Sequence, residues 1–128
     1  MSIEPLIELT IFGEPASKSN SRRLVTIHGR PALIKSKKAL SYLKDFAIQC
    51  PTLNPLLEGD LAITIFIHYR TRRPDLDESV VLDALQKKIY RNDRQIKEKH
   101  VFHAIDKTNP RVEISICPCV GADQVGHQ

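Results

Sequence analysis

The sequence predicts an α/β fold: one mixed β-sheet of about five to six strands with two α-helices, in a single domain over residues 1–128. Segments of alternating apolar and polar side chains indicate strands, and two segments with apolar residues at helical spacing lie between them. The length of 128 residues fits one domain with one core. Apolar residues make up 41% and charged residues 27%, which is typical of a globular rather than a disordered chain.

The first half of the chain is predicted to form a strand, a hairpin and a helix. Alternation predicts a strand over Leu6–Phe12, and the segments Leu24–His28 and Pro31–Lys35 enclose a glycine turn typical of a hairpin. Ser36 is a suitable N-cap for a helix that ends near Gln49. The buried face of this helix is predicted to contain Ala39, Leu40, Leu43, Phe46 and Ala47.

The second half contains the strongest strand pattern. Leu61–Arg70 carries apolar side chains on both faces, so we expect this strand in the centre of the sheet. Pro74 disfavours helix before it, and a second helix is expected from Leu76 or Asp77 to about Lys88. Its buried stripe is predicted to be Val80, Val81, Ala84 and Leu85. The remaining predicted elements are strands over Gln95–Ile105 and Arg111–Cys117 and a flexible tail over about 119–128.

Charge is distributed unevenly along the chain. Lysine and arginine number 19 against 15 aspartate and glutamate residues, which gives a formal net charge of +4. The segment Pro15–Lys44 contains eight basic residues and no acidic one. Such a stretch is typical of a surface that binds a polyanion, although a solvated charged face is the simpler alternative.

The sequence also excludes several classes of protein. No apolar run approaches the ~20 residues of a membrane span. Residues Met1–Thr10 contain two glutamates and no basic residue, so no signal peptide is expected. Three cysteines, an odd number, favour a reducing compartment over a disulfide scaffold. We therefore expect a cytoplasmic protein without membrane association, and exclude secreted mini-proteins, membrane proteins and large cofactor-domain enzymes.

Two aspartates directly follow the central strand. In an extended segment Asp75 and Asp77 point to the same side with Cα atoms roughly 6.5–7 Å apart, which suits two carboxylates on one hard cation. A third acid, Asp93, follows the second helix. A nearly straight return over residues 88–93, which can span about 20 Å, would bring it to the same place. The structural alternative is that Asp77 caps its helix and Asp75 lies in a turn.

Three converging carboxylates repel one another unless a cation lies between them. Oxygen ligands in a partly hydrated site favour Mg²⁺, with Mn²⁺ as a substitute, over Zn²⁺. Such an ion lowers the pKa of a bound water and polarises a phosphate. The resulting hypothesis is a metal site held by Asp75, Asp77 and Asp93 that acts on a phosphodiester.

Several motifs together resemble one known family. The motifs lie in Gly13–Lys18, Arg72–Asp77, Leu82–Leu85, Ile89–Ile96 and Arg111–Ile114. In these segments, which extend over most of the chain, the sequence resembles the RusA family of Holliday junction resolvases. The resemblance implies a small homodimeric, Mg²⁺-dependent endonuclease that nicks four-way DNA junctions symmetrically in recombination and repair, of a kind common in phages. It also places the catalytic aspartates of the family on Asp75, Asp77 and Asp93.

The chain departs from the family pattern at several positions. Glu78 stands where an asparagine normally follows the two aspartates, and the spacer between Asp77 and Asp83 is shorter than in relatives. Val81 occupies the offset of the family's catalytic lysine, and Asn92 replaces the first acid of an Asp-Asp pair. The alternatives for the missing positive charge are Lys18, Lys87 and Lys88.

Other charged residues have roles that the sequence leaves open. Glu78 is either an added ligand or a favourable charge in the first helical turn. Asp83 precedes Lys87 by four residues, so a surface ion pair is the simpler interpretation and an accessory role near the metal is the other. Lys87 and Lys88 are further accessory candidates. The DNA backbone is expected to contact Lys18, Arg22, Arg23, Arg30, Lys37, Lys38, Arg72 and Arg73 without sequence readout.

Two other functions remain open: a nucleic-acid-binding module whose carboxylates are purely structural, and a metal nuclease that acts on other branched DNA. A structural zinc site is a weaker interpretation, because positions three apart in a strand face opposite sides and the two histidines would not converge. The residues of that interpretation are His100, His103, Cys117 and Cys119.

Overall fold

The computed structural model describes residues 5–17, 20–72 and 77–119. Within these ranges the chain forms six strands, two α-helices and a short 3₁₀ helix. In chain order they are β1 (Ile7–Phe12), β2 (Arg22–Ile27), β3 (Arg30–Lys35), α1 (Lys37–Gln49), β4 (Leu61–Tyr69), α2 (Glu78–Leu85), the 3₁₀ helix (Asp93–Gln95), β5 (Ile96–Ile105) and β6 (Arg111–Pro118). The predicted strand boundaries agree with these to within two residues.

The main sheet has the strand order β1-β6-β4-β5. β4 pairs parallel to β5 and antiparallel to β6, and β6 pairs antiparallel to β1. The mixed sheet and the central position of β4 are therefore confirmed. Ile65 in the middle of β4 is paired with Ile114 on one side and with Val101 on the other.

The hairpin of β2 and β3 forms a separate two-stranded sheet, which divides the single sheet that the sequence predicts. The side chains of both strands are mostly exposed, including Leu24 and Leu33, so the hairpin has no continuous apolar face to bury in the main sheet. His28 and Gly29 both have positive φ at its turn, a combination typical of tight hairpin connections.

Helix α1 begins where the sequence predicts, but it buries a different face. The Ser36 Oγ accepts a hydrogen bond from the Ala39 backbone N–H at 3.1 Å, which caps the helix. The buried stripe is Ala39, Tyr42 and Phe46, at positions i, i+3 and i+7. Leu40 and Ala47 are exposed, and Leu43 is half-buried. The prediction of the face was wrong at Leu40 and Ala47 because the tyrosine ring occupies the core instead.

Helix α2 is shorter than predicted. It ends at Leu85 because Gln86 is extended and Lys87 has a φ of 67°. Lys87 then donates its backbone N–H to the Tyr90 carbonyl at 2.6 Å, which closes a tight turn. The return toward Asp93 is therefore not the nearly straight segment on which the sequence argument for convergence depends. Val80, Val81 and Leu85 are buried as predicted, whereas Leu82 is buried and Ala84 only partly.

The core lies between β4 and the two helices. Ile63, Ile65 and Ile67 of β4 are at most 1% exposed, and the buried side chains of α1 and α2 belong to the same cluster. No helix in the described ranges is long and apolar enough to cross a membrane. At the end of β6, Cys119 donates its backbone N–H to the Asp60 carbonyl at 2.9 Å. The rest of the predicted tail, residues 120–128, lies outside the described residues.

Candidate active site

Among the described residues Asp77 is the only charged one that is buried, with 3% of its surface exposed. It is the N-cap of α2: its Oδ1 accepts the Ser79 backbone N–H at 3.1 Å and also the Ser79 hydroxyl. The capping role that the sequence offers as an alternative is thus present. Because both bonds end on Oδ1, they fix the orientation of the carboxylate at the start of the helix.

Asp93 is the first residue of the 3₁₀ helix, and its side chain is exposed. Asn92 caps this helix, since its side chain accepts the Arg94 backbone N–H at 2.9 Å. The Gln95 side chain accepts the Asn92 backbone N–H at 3.1 Å, which completes a capping box. The Asp93 backbone N–H is donated to the Gln86 side chain at 3.2 Å. The position of Asp93 is therefore determined by hydrogen bonds on both of its neighbours and on its own backbone.

A cavity of about 180 Å³ is lined by residues of the hairpin, of α2 and of the 3₁₀ helix. At its edge the Lys35 Nζ lies 3.1 Å from Asp83 Oδ2. Asp93 shares this cavity with Ser79, the residue that donates two hydrogen bonds to Asp77. The lining residues are Arg22, Lys35, Ser79, Val80, Asp83 and Asp93.

The pKa of the Tyr90 phenol reflects the negative charges in this region. Burial, followed by the negative charges of Asp93 and Asp83, raises the pKa of the Tyr90 phenol. The hydroxyl therefore stays protonated and donates to the Leu82 carbonyl at 2.7 Å. The negative charges of Asp83 and Asp93, which both line the cavity, thus extend to Tyr90.

The predicted metal triad is only partly described. Asp75 lies outside the described residues, so the structure gives the surroundings of Asp77 and Asp93 alone. Among the residues that are described, no three His, Cys, Asp or Glu side chains are grouped so that they could hold a metal ion. The metal site of Asp75, Asp77 and Asp93 stays a prediction.

The accessory candidates have partners of their own. Glu78 lies in the first turn of α2, and its Oε2 is 2.9 Å from Lys99 Nζ on β5. Asp83 pairs with Lys35 and also accepts the Gln86 side-chain amide at 3.1 Å. The predicted Asp83 pair with Lys87 was wrong, because α2 ends before Lys87 and the i, i+4 geometry of a helix is lost.

Lys88 points away from the cavity. Its Nζ donates to the Ala47 carbonyl at 3.2 Å and lies 3.5 Å from the Cys50 carbonyl and from the Thr52 hydroxyl. These contacts stabilise the C-terminal end of α1. Lys87 is exposed beyond the end of α2.

The predicted DNA-contacting residues are distributed over the hairpin, α1 and the loop after β4. Arg22 lines the cavity. Lys37 and Lys38 lie in the first turn of α1, which contains no acidic residue. Cations at a helix N-terminus oppose the helix dipole, so these two lysines do not serve to stabilise the helix. Arg22, Arg23, Arg30, Lys37, Lys38 and Arg72 are all exposed, and Lys18 and Arg73 lie outside the described residues.

Sequence reasoning missed the cavity residues Lys35 and Ser79, and also Gln86, which binds the Asp93 backbone and the Asp83 side chain. In the sequence Lys35 belongs only to a basic stretch, since no local pattern indicates that the end of β3 lies next to α2. Ser79 carried a usable signal, because a serine two residues after an aspartate N-cap commonly donates back to it. Gln86 has no such signal, because its contact with Asp93 depends on the turn at Lys87.

The four residues of the zinc interpretation do not all lie together. His100, Cys117 and Cys119 line a shallow depression together with Glu98, whose Oε2 is 2.6 Å from His100 Nε2. His103 lies on the other face of β5, with its ring 5.2 Å from the ring of Tyr69. The expectation that the two histidines face opposite sides is confirmed.

A model of a known protein family matches most of the chain. A family model described as endodeoxyribonuclease RusA matches residues 13–117, from the loop after β1 to the end of β6. No curated protein matches the sequence. The matched range includes every predicted site residue.

Proposed function

The chain belongs to the endodeoxyribonuclease RusA family, and from this premise we propose that it is a Mg²⁺-dependent endonuclease that resolves Holliday junctions by paired symmetric nicks. The observation that carries the proposal is the cavity that is lined by Asp93, by two cationic side chains and by Ser79, the hydrogen-bond partner of Asp77. Carboxylates next to cations suit a site that must accept both a metal ion and a phosphate.

The side chains available fit a hard divalent cation. Asp77 and Asp93 offer carboxylate oxygens, and Ser79 places a hydroxyl oxygen beside them, whereas no histidine or cysteine of the described chain lines the cavity. In the proposal Asp75, Asp77 and Asp93 hold Mg²⁺, for which Mn²⁺ substitutes. When bound, the ion supplies an activated water and neutralises charge on the phosphate.

The residues of the chain itself orient the substrate. Ser79 holds the Asp77 carboxylate through Oδ1, and the 3₁₀ helix presents Asp93 to the same cavity. Lys35 and Arg22, which line the same cavity, bring positive charge that can bind a phosphodiester oxygen. The exposed basic residues of the hairpin and of α1 continue this surface along the DNA backbone.

We propose that Lys35 supplies the positive charge that α2 lacks at the position of the family's catalytic lysine. Val81, at the family's lysine position, is fully buried in the core. Lys88 is bound to the end of α1, and Lys87 lies beyond α2. Lys35 instead reaches the cavity from β3 and lies 3.1 Å from Asp83 at its rim. Asp83 thereby acts as a positioning residue for the lysine.

The proposal is tested by incubating the protein with a synthetic four-way junction, a flap and a linear duplex, each with Mg²⁺ or with a chelator. We expect symmetric nicks in the junction with Mg²⁺ alone, and a loss of about 100-fold or more in Asp77→Asn. Asparagine caps a helix as well as aspartate does, so this variant keeps its fold. Asp45→Asn, at an exposed position of α1, is the matched control.

Three outcomes would contradict the proposal in different ways. Junction binding without metal-dependent nicking would favour the non-catalytic binding module. Faster cleavage of the flap than of the junction would favour a nuclease for other branched DNA. Equal cleavage by Asp77→Asn and the unmutated protein would remove Asp77 from the catalytic site. A homodimer is part of the proposal, because paired nicks need two sites and each chain carries one set of aspartates.

A further inference from the structure

A second cavity borders Asp93, between α2 and β5. Its volume is about 380 Å³. Two of its lining residues are apolar, so its charged groups are two lysine ammonium groups and the Asp93 carboxylate. Neither lysine belongs to the DNA-contacting set that the sequence predicts. The lining residues are Leu82, Asp93, Ile96, Lys97 and Lys99.

This cavity, which we call the β5 cavity, and the one described above, which we call the hairpin cavity, lie against different faces of α2. Residues four apart in a helix share a face. Ser79 and Asp83 line the hairpin cavity. Leu82 lines the β5 cavity, and Glu78, four residues earlier, pairs with a lysine of β5. Asp93 lines both cavities and therefore lies where they meet.

An irregularity in β5 directs Lys99 toward α2. Between Leu61 and Ala62 the pairing advances by one residue in β4 but by two in β5, so Lys97 is an extra residue. Such a bulge changes the face of the sheet on which the following side chains lie. Lys99 is consequently paired with Ile63, whose buried side chain points toward the helices. Without the extra residue, Lys99 would point to the opposite face.

An ion pair fixes the Lys99 ammonium at the start of α2. Its Nζ lies 2.9 Å from Glu78 Oε2. An ammonium group has three donors, and the contact with Glu78 uses one of them. Because the Lys99 side chain is still 43% exposed, a phosphate oxygen can reach it. Glu78 directly follows Asp77, so the pair holds this lysine close to the predicted catalytic aspartates.

We propose that the β5 cavity is a second phosphate-binding subsite, in which Lys97 and Lys99 bind a phosphodiester of the DNA strand that also enters the hairpin cavity. Two ammonium groups outnumber the one carboxylate of its lining, which favours an anion. Lysine binds phosphate as a point charge and reads no base. Since Asp93 borders both cavities, a strand that crosses it has phosphates bound on each side of the scissile bond. Binding on two sides holds that bond in a fixed position at the aspartates.

The position of β5 at the edge of the main sheet offers a different explanation for its lysines. Lysines on an edge strand prevent pairing with the strands of other chains. That role requires neither the contact of Lys99 with α2 nor a cavity shared with Asp93. These two observations favour the phosphate subsite.

The inference rests on the proposed function for its DNA substrate, but its test measures binding in the presence of a chelator and needs no nicking. Fluorescence anisotropy gives the affinity of the full chain for a four-way junction at several salt concentrations. Lys97→Gln and Lys99→Gln are each expected to weaken binding at least about threefold and to reduce the slope of log affinity against log salt by about 1. Lys107→Gln removes the same charge from the loop between β5 and β6 and is the matched control, which should bind like the unmutated chain.

A scan with single methylphosphonates, which are neutral replacements of a phosphodiester, locates the subsite. One linkage near the junction centre should weaken binding of the unmutated chain when it is neutralised. The same linkage should have little effect in Lys97→Gln or Lys99→Gln, because the partner of that phosphate is already lost.

Several outcomes would overturn the inference: additive effects of lysine and linkage at every position, an equal loss of affinity in Lys107→Gln, or unchanged binding in both β5 variants. Unchanged binding together with aggregation of these variants would assign the lysines to protection of the edge strand. Mg²⁺-dependent nicking without a coupled linkage would overturn this inference alone. A coupled linkage without any nicking would overturn only the proposed function.

Discussion

The two sides of the main sheet differ in whether their charged side chains form ion pairs. On the helix side, Arg22, Lys37 and Lys38 are exposed, and no ion pair within the described residues holds them. On the face of the sheet opposite the helices, Glu113 is paired with His68 and Arg111, and the rings of Phe66 and Phe102 are partly exposed. Unpaired cations are available for a polyanion, whereas charges that are already paired attract it less. The net charge of the chain alone does not distinguish the two sides.

The largest expected effect is a difference in the free energy of unfolding between variants at two neighbouring residues of β4. Ile65 is fully buried on the helix side, so Ile65→Ala is expected to lower the free energy of unfolding by about 2–5 kcal/mol. Phe66→Ala, one residue later on the opposite face of the sheet, should cost much less stability, because the Phe66 side chain is 41% exposed. Urea unfolding of both variants at low protein concentration checks this. Equal destabilisation would show that the face of the sheet that carries Phe66 is not an exposed surface.

The next effect concerns Lys35 at the cavity. Lys35→Ala is expected to slow junction nicking about 10- to 100-fold while junction affinity changes little, because one of many cations is lost from the binding surface. Lys107→Ala, at an exposed lysine of the loop between β5 and β6, is the control. Single-turnover nicking and equilibrium binding measure the two quantities separately. Equal loss of binding and nicking would assign Lys35 to general DNA attraction.

The smallest expected effect is on the stability of the fold at acid pH, where a paired carboxylate becomes protonated. The hydrogen bond from Arg111, followed by that from the Asn109 backbone, lowers the pKa of Asp106 to about 2. A carboxylate with a lowered folded-state pKa stabilises the fold above its ordinary value of 3.8, and this contribution is lost as the pH falls toward 2.

Thermal unfolding between about pH 2 and pH 6 tests this contribution. Asp106→Asn should unfold at a lower temperature than the unmutated chain near pH 6, and the difference should shrink toward pH 2. A difference that stays constant over this range would show that the Asp106 charge is not the cause.

Elements with local signals could be predicted from the sequence. Ser36 caps α1 by accepting the backbone N–H of Ala39, three residues later. The apolar residues on both faces of β4 are enough to predict its central position in the sheet. The face of α1 could not be predicted in full, because Leu40 and Tyr42 are both apolar enough for the core and only the neighbouring elements select the tyrosine.

The candidate site depends on contacts between distant parts of the chain. Asp77 as a helix cap is predictable from its position before α2. The ion pair of Lys35 with Asp83 joins the hairpin to α2, and no local pattern indicates it. The place of Asp93 follows from a turn with positive φ at Lys87, a conformation that lysine adopts rarely and that the sequence does not signal.

The central claim is that Asp75, Asp77 and Asp93 share one divalent ion. The most direct measurement is a crystal structure of the protein grown with Mn²⁺, with the ion located by its anomalous scattering. The account predicts a manganese ion at about 2.0–2.3 Å from carboxylate oxygens of all three aspartates. An ordered manganese ion bound elsewhere, with the Asp93 carboxylate outside coordination distance of Asp77, would contradict it.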